Sequence, residues 1–511
     1  MTPLEFVRRA HSPFERVFDA LADPARCERA MVLLLAGYAT VWALYAAIAK
    51  SSQDIHFDMG ELAAWSHEVT LGTPKHPPLA AWLVRLWFDA MPAEPWAYYL
   101  LAMISATVAL WIAWHVAARY LTAEKRVVGL VLLTFVPFYN FHALKFNANT
   151  VLIPLWAATT WWFLRSLETL RVGWAILAGI GAAAAMLGKY WSIFLLAGLA
   201  ITALTDPRRD AYLRSPAPWL TILSGTIVLA PHIAWVAAHH FVSFGYALES
   251  HPATLATAAL SAAGFIAGAL GYIAAPVLFA LIAAQPSAPA IRDTVWPAQP
   301  ERRTIAIAFA APLLLPALAA VPLKANIVSL WAMSAMTLLP CVLLSSPLVT
   351  ITREAAVRLL AIATVFPLLM VAVAPAIAII IYRNGVPNYA THYRLIARAT
   401  ERAWAARTSA PLRIVGSYTN IVNGIAFYFP SQPSTYDIID PAQTPWVDAA
   451  RIKRDGIAIV CPRPEASCVE AMNAYTARYP DAAADEVALA RRYLGMRDKS
   501  VTYRILIVPP R

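Results

Sequence analysis

Between residues 31 and 382, apolar runs long enough to cross a bilayer recur one after another, beginning with "MVLLLAGYATVWALYAAIA" (31–49). A span of about 20 apolar residues matches the hydrocarbon thickness of a membrane. Lipid offers no water to unpaired peptide groups, so such runs must close their hydrogen bonds internally, as helices do. The side chains agree: 59% of the 511 residues are hydrophobic and 14% are charged, whereas soluble domains are about 25% charged. The expected fold is an all-α polytopic membrane protein.

Matching apolar runs to basic flanks predicts eleven spans, near 31–49, 98–118, 127–140, 149–164, 172–187, 191–205, 217–237, 253–284, 304–320, 328–345 and 356–382. The 253–284 run is long enough to be broken or tilted. Alternate loops are rich in cations, from Arg8, Arg9, Arg16, Arg26 and Arg29 at the start to Arg353 and Arg358 near the end. The intervening loops hold few cations: Lys50, Lys75, Arg85, Lys145, Lys189 and Lys324. By the positive-inside rule this puts the N-terminal segment 1–30 in the cytoplasm and the second set of loops outside. The net charge of +11 is then topological, and no basic stripe interleaved with aromatics points to nucleic acid. The first 30 residues lack the layout of a signal peptide, so 31–49 reads as an uncleaved anchor, although Ala47-Ile48-Ala49 has the small-residue pattern of a cleavage site.

Residues 383–511 change character. β-type runs ("LRIVGSYT", "GIAIVC", "TYRILIVPP") alternate with helix-like stretches, which predicts a small α/β domain on the far side of eleven spans. Cys461 and Cys468 lie together in it, in "CPRPEASC"; a close pair in an oxidising compartment reads as a disulfide, and as a metal site it lacks two ligands.

The most unusual chemistry follows the first span. "FDMGELAAWSHEVTLGTPKHPPLAAW" (57–82) sets Asp58, Glu61 and Glu68 beside Lys75 and His76. Ionisable groups at membrane depth are costly and mark function by default. Asp58, Glu61, Trp65 and Glu68 recur at helical spacing and share one face, predicting a short amphipathic helix along the outer interface. The Asp58–Glu61 spacing is equally that of a capping box, so a structural and a catalytic reading both stand. Pro77-Pro78 forbids helix for the residues before it and holds Lys75 and His76 in an extended turn, suited either to a phosphate or to a snorkelling Lys. Two further outer stretches carry His142, Lys145, Asn147 and Asn149 (138–150) and Lys189 with Tyr190 (187–194). Lys324, Asn326, His232, His239 and His240 are weaker candidates, as are Tyr418, Asn420 and Asn423 in the C-terminal segment.

An outer loop with an Asp, a Trp, a Gly and then "KHPPLAAW" resembles the bacterial family 39 glycosyltransferases of the GT-C superfamily, which are similar to protein O-mannosyltransferases and to the lipid A aminoarabinose and galacturonic acid transferases. Asp58 takes the first acidic position of the family pattern, Met59 replaces the usual Glu, and Gly72, Pro77, Pro78 and Trp82 follow. "NANTVLIPLWAATTWWFL" resembles the second motif, with Asn149 where an Asp is usual, and "LGKYWSIFLL" the Lys-Tyr hairpin. The likeness covers about residues 31–240. It implies a GT-C membrane domain (31–382, with a motif-bearing loop at 50–97) and a periplasmic α/β domain (383–511), in the bacterial inner membrane. It further implies a polyprenyl-phosphate sugar donor, an acceptor that is a glycolipid, polysaccharide or protein, and inversion at the anomeric carbon. On this likeness Asp58 is the general base and Glu61 orients substrate. Lys75, His76, Lys189 and Tyr190 meet the donor phosphate; Trp65, Lys145, Asn147, Asn149 and Lys324 contact acceptor or sugar. Asn149 in place of a carboxylate weakens any hard-cation site, so a metal-independent enzyme is expected. The rival class is a lipid or sugar transporter or flippase, which would carry its charges near the midplane on repeated halves; here they cluster in outer loops and no internal repeat is evident.

Overall fold

The computed structural model describes residues 12–249, 252–387 and 389–511; Arg8 and Arg9, used above for topology, lie outside them. Every run predicted to span is helical, but the runs are not alike. Among the described residues, six helices are long and apolar enough to cross a membrane: Cys27–Ala49, Pro95–Ala117, Ala217–Ala238, Leu255–Ala284, Pro300–Ala320 and Arg353–Asn384. The Leu255–Ala284 helix runs unbroken for 30 residues despite Pro276 inside it. That is about 45 Å at 1.5 Å per residue, longer than the hydrocarbon layer and so suited to tilting. Trp219, Ile222, Leu223, Ile227 and Ile233 are exposed on the Ala217–Ala238 helix, as a lipid-facing surface requires.

The other five runs are shorter or irregular. The 127–140 run folds as a 12-residue helix, Ala123–Thr134, with a separate 3₁₀ turn Pro137–Tyr139. Val151 precedes an 18-residue helix, Leu152–Thr169, and Val172–Gly188 and Ile193–Thr205 are 17 and 13 residues long. Most distinct is the 328–345 run: Ser329–Leu338 is a 3₁₀ helix that tightens before Leu339–Leu344. Its side chains pack among other helices, where irregular backbone is tolerated at membrane depth.

The loop after the first span folds into two helices, Phe57–Ser66 and Leu79–Ala90. The first is not the surface amphipathic helix that the spacing predicts: all of Met59 through Ser66 is buried. Its cover is the C-terminal segment, whose Thr419–Ala426 helix packs across it. Two glycines allow this packing, Gly60 at the crossing itself and Gly424 where the Thr419–Ala426 helix backs onto Tyr393. A Cβ on Gly60 would lie 2.9 Å from Gly424 Cα, and one on Gly424 would lie 2.3 Å from the Tyr393 ring.

The described residues of the C-terminal segment hold seven strands: β1 (Ile414–Ser417), β2 (Ser434–Asp437), β3 (Ile457–Pro462), β4 (Ala483–Leu489), β5 (Arg492–Tyr493), β6 (Met496–Arg497) and β7 (Val501–Val508). Five form one sheet in the order β2-β1-β3-β7-β4. β1 runs parallel to β2 and β3, and β7 antiparallel to β3 and β4; β5 and β6 pair as a separate two-stranded ribbon. Alternate residues of a strand face opposite sides, and both sides are apolar here. Ala458 and Val460 join one core with helix Tyr393–Ala405, while Ile457, Ile459 and Cys461 join another with Cys468 and Met472 of helix Ala466–Arg478. A sheet buried on both faces reads as unbroken hydrophobic strands, which is why "GIAIVC" stands out in the sequence. Cys461 and Cys468 are joined by a disulfide at the end of β3.

Candidate functional site

The site begins with how the Phe57–Ser66 helix starts. Its N-cap is His56, whose Nδ1 accepts the Asp58 backbone N–H at 3.1 Å. Asp58 is therefore already inside the helix, and the capping-box reading of Asp58 with Glu61 is corrected: His56 does the capping, which frees the Asp58 carboxylate to turn elsewhere. It accepts from the Asn147 amide at 2.8 Å and pairs with Lys145 Nζ at 3.0 Å. Asn147 is itself fixed, because its Oδ1 accepts the N–H groups of Asn149 and Thr150 at 2.9 and 3.1 Å, an Asx turn just ahead of the Leu152–Thr169 helix.

One turn along, Glu61 projects beside Asp58. The Pro77-Pro78 pair keeps residues 73–78 out of helix. Thr73 Oγ1 accepts the His76 N–H at 3.0 Å, so the turn aims Lys75 inward, where its Nζ bonds both Glu61 oxygens at 2.9 and 3.0 Å. From the far side Lys189, extended between two helices, donates to Asn149 Oδ1 at 2.7 Å and lies 4.7 Å over the Trp331 ring. Asp58, Glu61, Lys75, His76, Asn147, Asn149 and Lys189 together line one cavity of about 70 Å³.

Burial opposes ionisation of Asp58, but Lys145, with help from Asn147, outweighs it and holds the carboxyl well below the usual range. Burial pushes Glu61 up to about 7, with Lys75 pulling against it. Burial likewise brings Lys189 down to about 7. His76 is buried and flanked by Lys189 and Lys75, which keeps its imidazole far below its ordinary value and hence neutral. A neutral His76 can meet a phosphate through a hydrogen bond but not through charge.

Other expected residues sit around this cavity or away from it. Trp65 is buried with its ring 6.0 Å from that of His76. Tyr190 stacks on Phe244 and bonds His232 Nε2 at 2.9 Å. His232 Nδ1 in turn meets the Leu71 carbonyl at 2.6 Å, so Nδ1 carries the proton, Tyr190 donates to Nε2, and the chain ties the Ala217–Ala238 helix to the motif loop. Glu68 falls beyond the helix end and faces Ser434 and Arg451; it does not share the acidic face. Lys324 is an exposed turn residue outside the cavity, and its expected contact with substrate has no support in this arrangement. His142 is exposed. Asn423 is buried against Gly60, whose Cβ would meet its carbonyl at 3.0 Å; Asn420 accepts the Tyr393 hydroxyl through its carbonyl. Sequence reasoning missed His56, whose only signal is its position just ahead of the acidic helix. Among the described residues no three His, Cys, Asp or Glu side chains gather as a metal site would require.

A family model described as dolichyl-phosphate-mannose-protein mannosyltransferase matches residues 75–235, starting at Lys75 and leaving Asp58 and Glu61 upstream. The lipid A galacturonosyltransferase RgtD of Rhizobium johnstonii is 23% identical over 259 residues, 50% of this chain and 53% of that protein; the match thus spans about half the length of that relative. The crystal structure of ArnT from Cupriavidus metallidurans bound to undecaprenyl phosphate superposes with a TM-score of 0.61 at 12% identity, over 93% of this chain and 97% of that one. The apo structure of the same protein gives 0.56 at 12% identity, over 92% and 97%. The chain is a multi-pass membrane protein with the ArnT fold, similar to the GT-C glycosyltransferases that modify lipid A.

Proposed function

We propose that this protein transfers a sugar from a polyprenyl-phosphate donor to a glycolipid acceptor at the cavity lined by Asp58, Glu61, Lys75 and Lys189. The observation that carries the reading is the charge pattern: two carboxylates one helical turn apart, within a ring of three ammonium groups from separate elements. In the step envisaged, an acceptor hydroxyl oxygen attacks the anomeric carbon as its bond to the donor phosphate breaks. The electron pair leaves on the phosphate and the proton passes to Asp58. Developing phosphate charge is best met by fixed cations in a water-poor site, the role assigned to Lys75 and Lys189. With one base and no covalent intermediate the anomeric centre inverts. The site is assigned to the periplasmic side of the inner membrane, with the N-terminus cytoplasmic, on the strength of the loop charges.

A specific observation favours a second assignment of the proton. A general base works best with its pKa near the working pH, and Glu61, at about 7, matches better than Asp58. Asp58 is favoured because its carboxylate is charged at neutral pH and is not bound bidentately, whereas both oxygens of Glu61 are held by Lys75. Turnover by Asp58→Asn and Glu61→Gln separates them: the base is whichever loses more.

Lys189 makes the donor step sensitive to pH. Its ammonium, lowered to about 7 by burial, is charged below that pH and loses charge as pH rises through it. The donor KM is expected to climb several-fold from pH 6.5 to 8.5, and Lys189→Arg, which stays charged, to flatten that rise; steady-state kinetics across the range checks both. Metal independence belongs to the same reading, since both carboxylates are occupied by lysines and Asn149 stands where an acid would serve. Turnover in excess EDTA is expected to equal turnover in added Mg²⁺ or Mn²⁺.

A further inference from the structure

A second cavity, of about 580 Å³, lies where the C-terminal segment meets the outer ends of two spans, lined by none of the residues of the transfer cavity. Lys50, Arg394, Arg491 and Arg492 line it against the single carboxylate of Asp54. Asp54 is 5% exposed and already engaged, by Arg491 at 3.5 Å and by the Arg394 backbone N–H at 3.2 Å. Arg491 is further fixed by the carbonyls of Thr391 and Ser51, at 3.1 and 3.0 Å. Lys50 lies 5.4 Å over the Tyr99 ring and has no carboxylate partner among the described residues. Arg394 also pairs with Glu94 at 3.2 Å, so the lining cations without a carboxylate partner among the described residues are Lys50 and the exposed Arg492. A partly buried, unpaired ammonium such as that of Lys50 is costly unless an anion meets it.

Its position says what neutralises them. Lys50 directly follows the Cys27–Ala49 span, and Pro95 and Trp96 open the Pro95–Ala117 span. Trp96 is 43% exposed on the rim, as indole rings are at headgroup level. A site with cations within and an apolar wall of two spans below fits a phosphate joined to acyl chains. We propose that this groove binds the phosphate group of a lipid in the leaflet facing the C-terminal segment, outside the transfer cavity and independently of the donor phosphate. Residues 50–56 run from the groove into the Phe57–Ser66 helix, so, on the transfer reading above, a lipid held here brings its headgroup toward the reacting centre.

The test reads binding alone, so it does not depend on sugar transfer. Purified full-length protein in a non-ionic detergent is titrated with dioctanoyl phosphatidic acid, dioctanoyl phosphatidylcholine and inorganic phosphate, by microscale thermophoresis. Lys50→Gln and Arg492→Gln are the variants, since neither side chain makes a hydrogen bond within the described protein; Lys189→Ala, in the transfer cavity, is the control. Saturable binding of phosphatidic acid is expected, at least tenfold tighter than either comparator, weakened tenfold or more in Lys50→Gln/Arg492→Gln and within twofold of wild type in Lys189→Ala. Absence of saturable binding overturns the proposal. So does inorganic phosphate binding as tightly as the lipid, or lipid binding that survives the groove variants and is lost with Lys189.

Discussion

Asp58→Asn is expected to reduce sugar transfer by about 10²- to 10⁴-fold, the range that a positioned general base contributes, while leaving the protein folded. The reason it should fold lies in the start of the helix. His56, not Asp58, satisfies the first N–H groups, so the amide removes no cap. The substituted side chain can still accept from the Asn147 amide through its carbonyl oxygen, and Lys145, whose side chain is 25% exposed, keeps access to water after losing its partner. What the amide cannot do is accept a proton. The expected signature is a fall in kcat with the melting temperature within a few degrees of wild type. Glu61→Gln should cost less than Asp58→Asn in turnover. A larger loss in Glu61→Gln, with an acidic limb near pH 7 in the wild-type profile, would move the proton to Glu61.

Gly424→Ala should damage both stability and turnover although it lies outside the cavity. The added methyl would sit 2.3 Å from the Tyr393 ring. Tyr393 is fully buried and its hydroxyl donates to the Asn420 carbonyl at 2.9 Å, so the ring has little freedom to yield. Overpacking of this kind costs about 1–3 kcal/mol. The relief available is to move the Thr419–Ala426 helix, and that helix is the surface on which Gly60, and with it Asp58 and Glu61, is seated. A misplacement of about 1 Å can cost about 100-fold in rate. Gly264→Ala is the control: nothing lies within 4 Å of its added methyl, and Ala is the better helix former, so melting temperature and turnover should hold or rise slightly. Native behaviour of Gly424→Ala would mean that the seating of the Thr419–Ala426 helix against Tyr393 does not position the site.

What the sequence revealed about the fold, and what it concealed, follows from the range of each interaction. The apolar runs are local and were legible as helices. The 3₁₀ stretch Ser329–Leu338 was not, because its irregularity depends on the helices packed around it. The Asp58–Glu61 pair was legible from helical spacing, and the turn at Lys75 from two prolines. The pairing of Asp58 with Lys145, 87 residues on, and of Lys189 with Asn149, 40 residues back, is tertiary and has no local signal. The acidic helix was misjudged as a surface element because its cover, the Thr419–Ala426 helix, comes more than 350 residues later. The protonation state of His76 has no local signal either, because it is set by burial among lysines, a property of the assembled site. The disulfide pair was legible from its close spacing and the outer placement of its segment, being a short loop between β3 and the next helix.

The most direct test is the glycolipid mass profile of cells in which the gene is deleted and then restored. The account predicts that deletion removes a species heavier by one sugar residue, that the wild-type gene returns it, and that the Asp58→Asn gene, expressed to the same level in the membrane, does not. A profile unchanged by deletion, or one fully restored by Asp58→Asn, would contradict it.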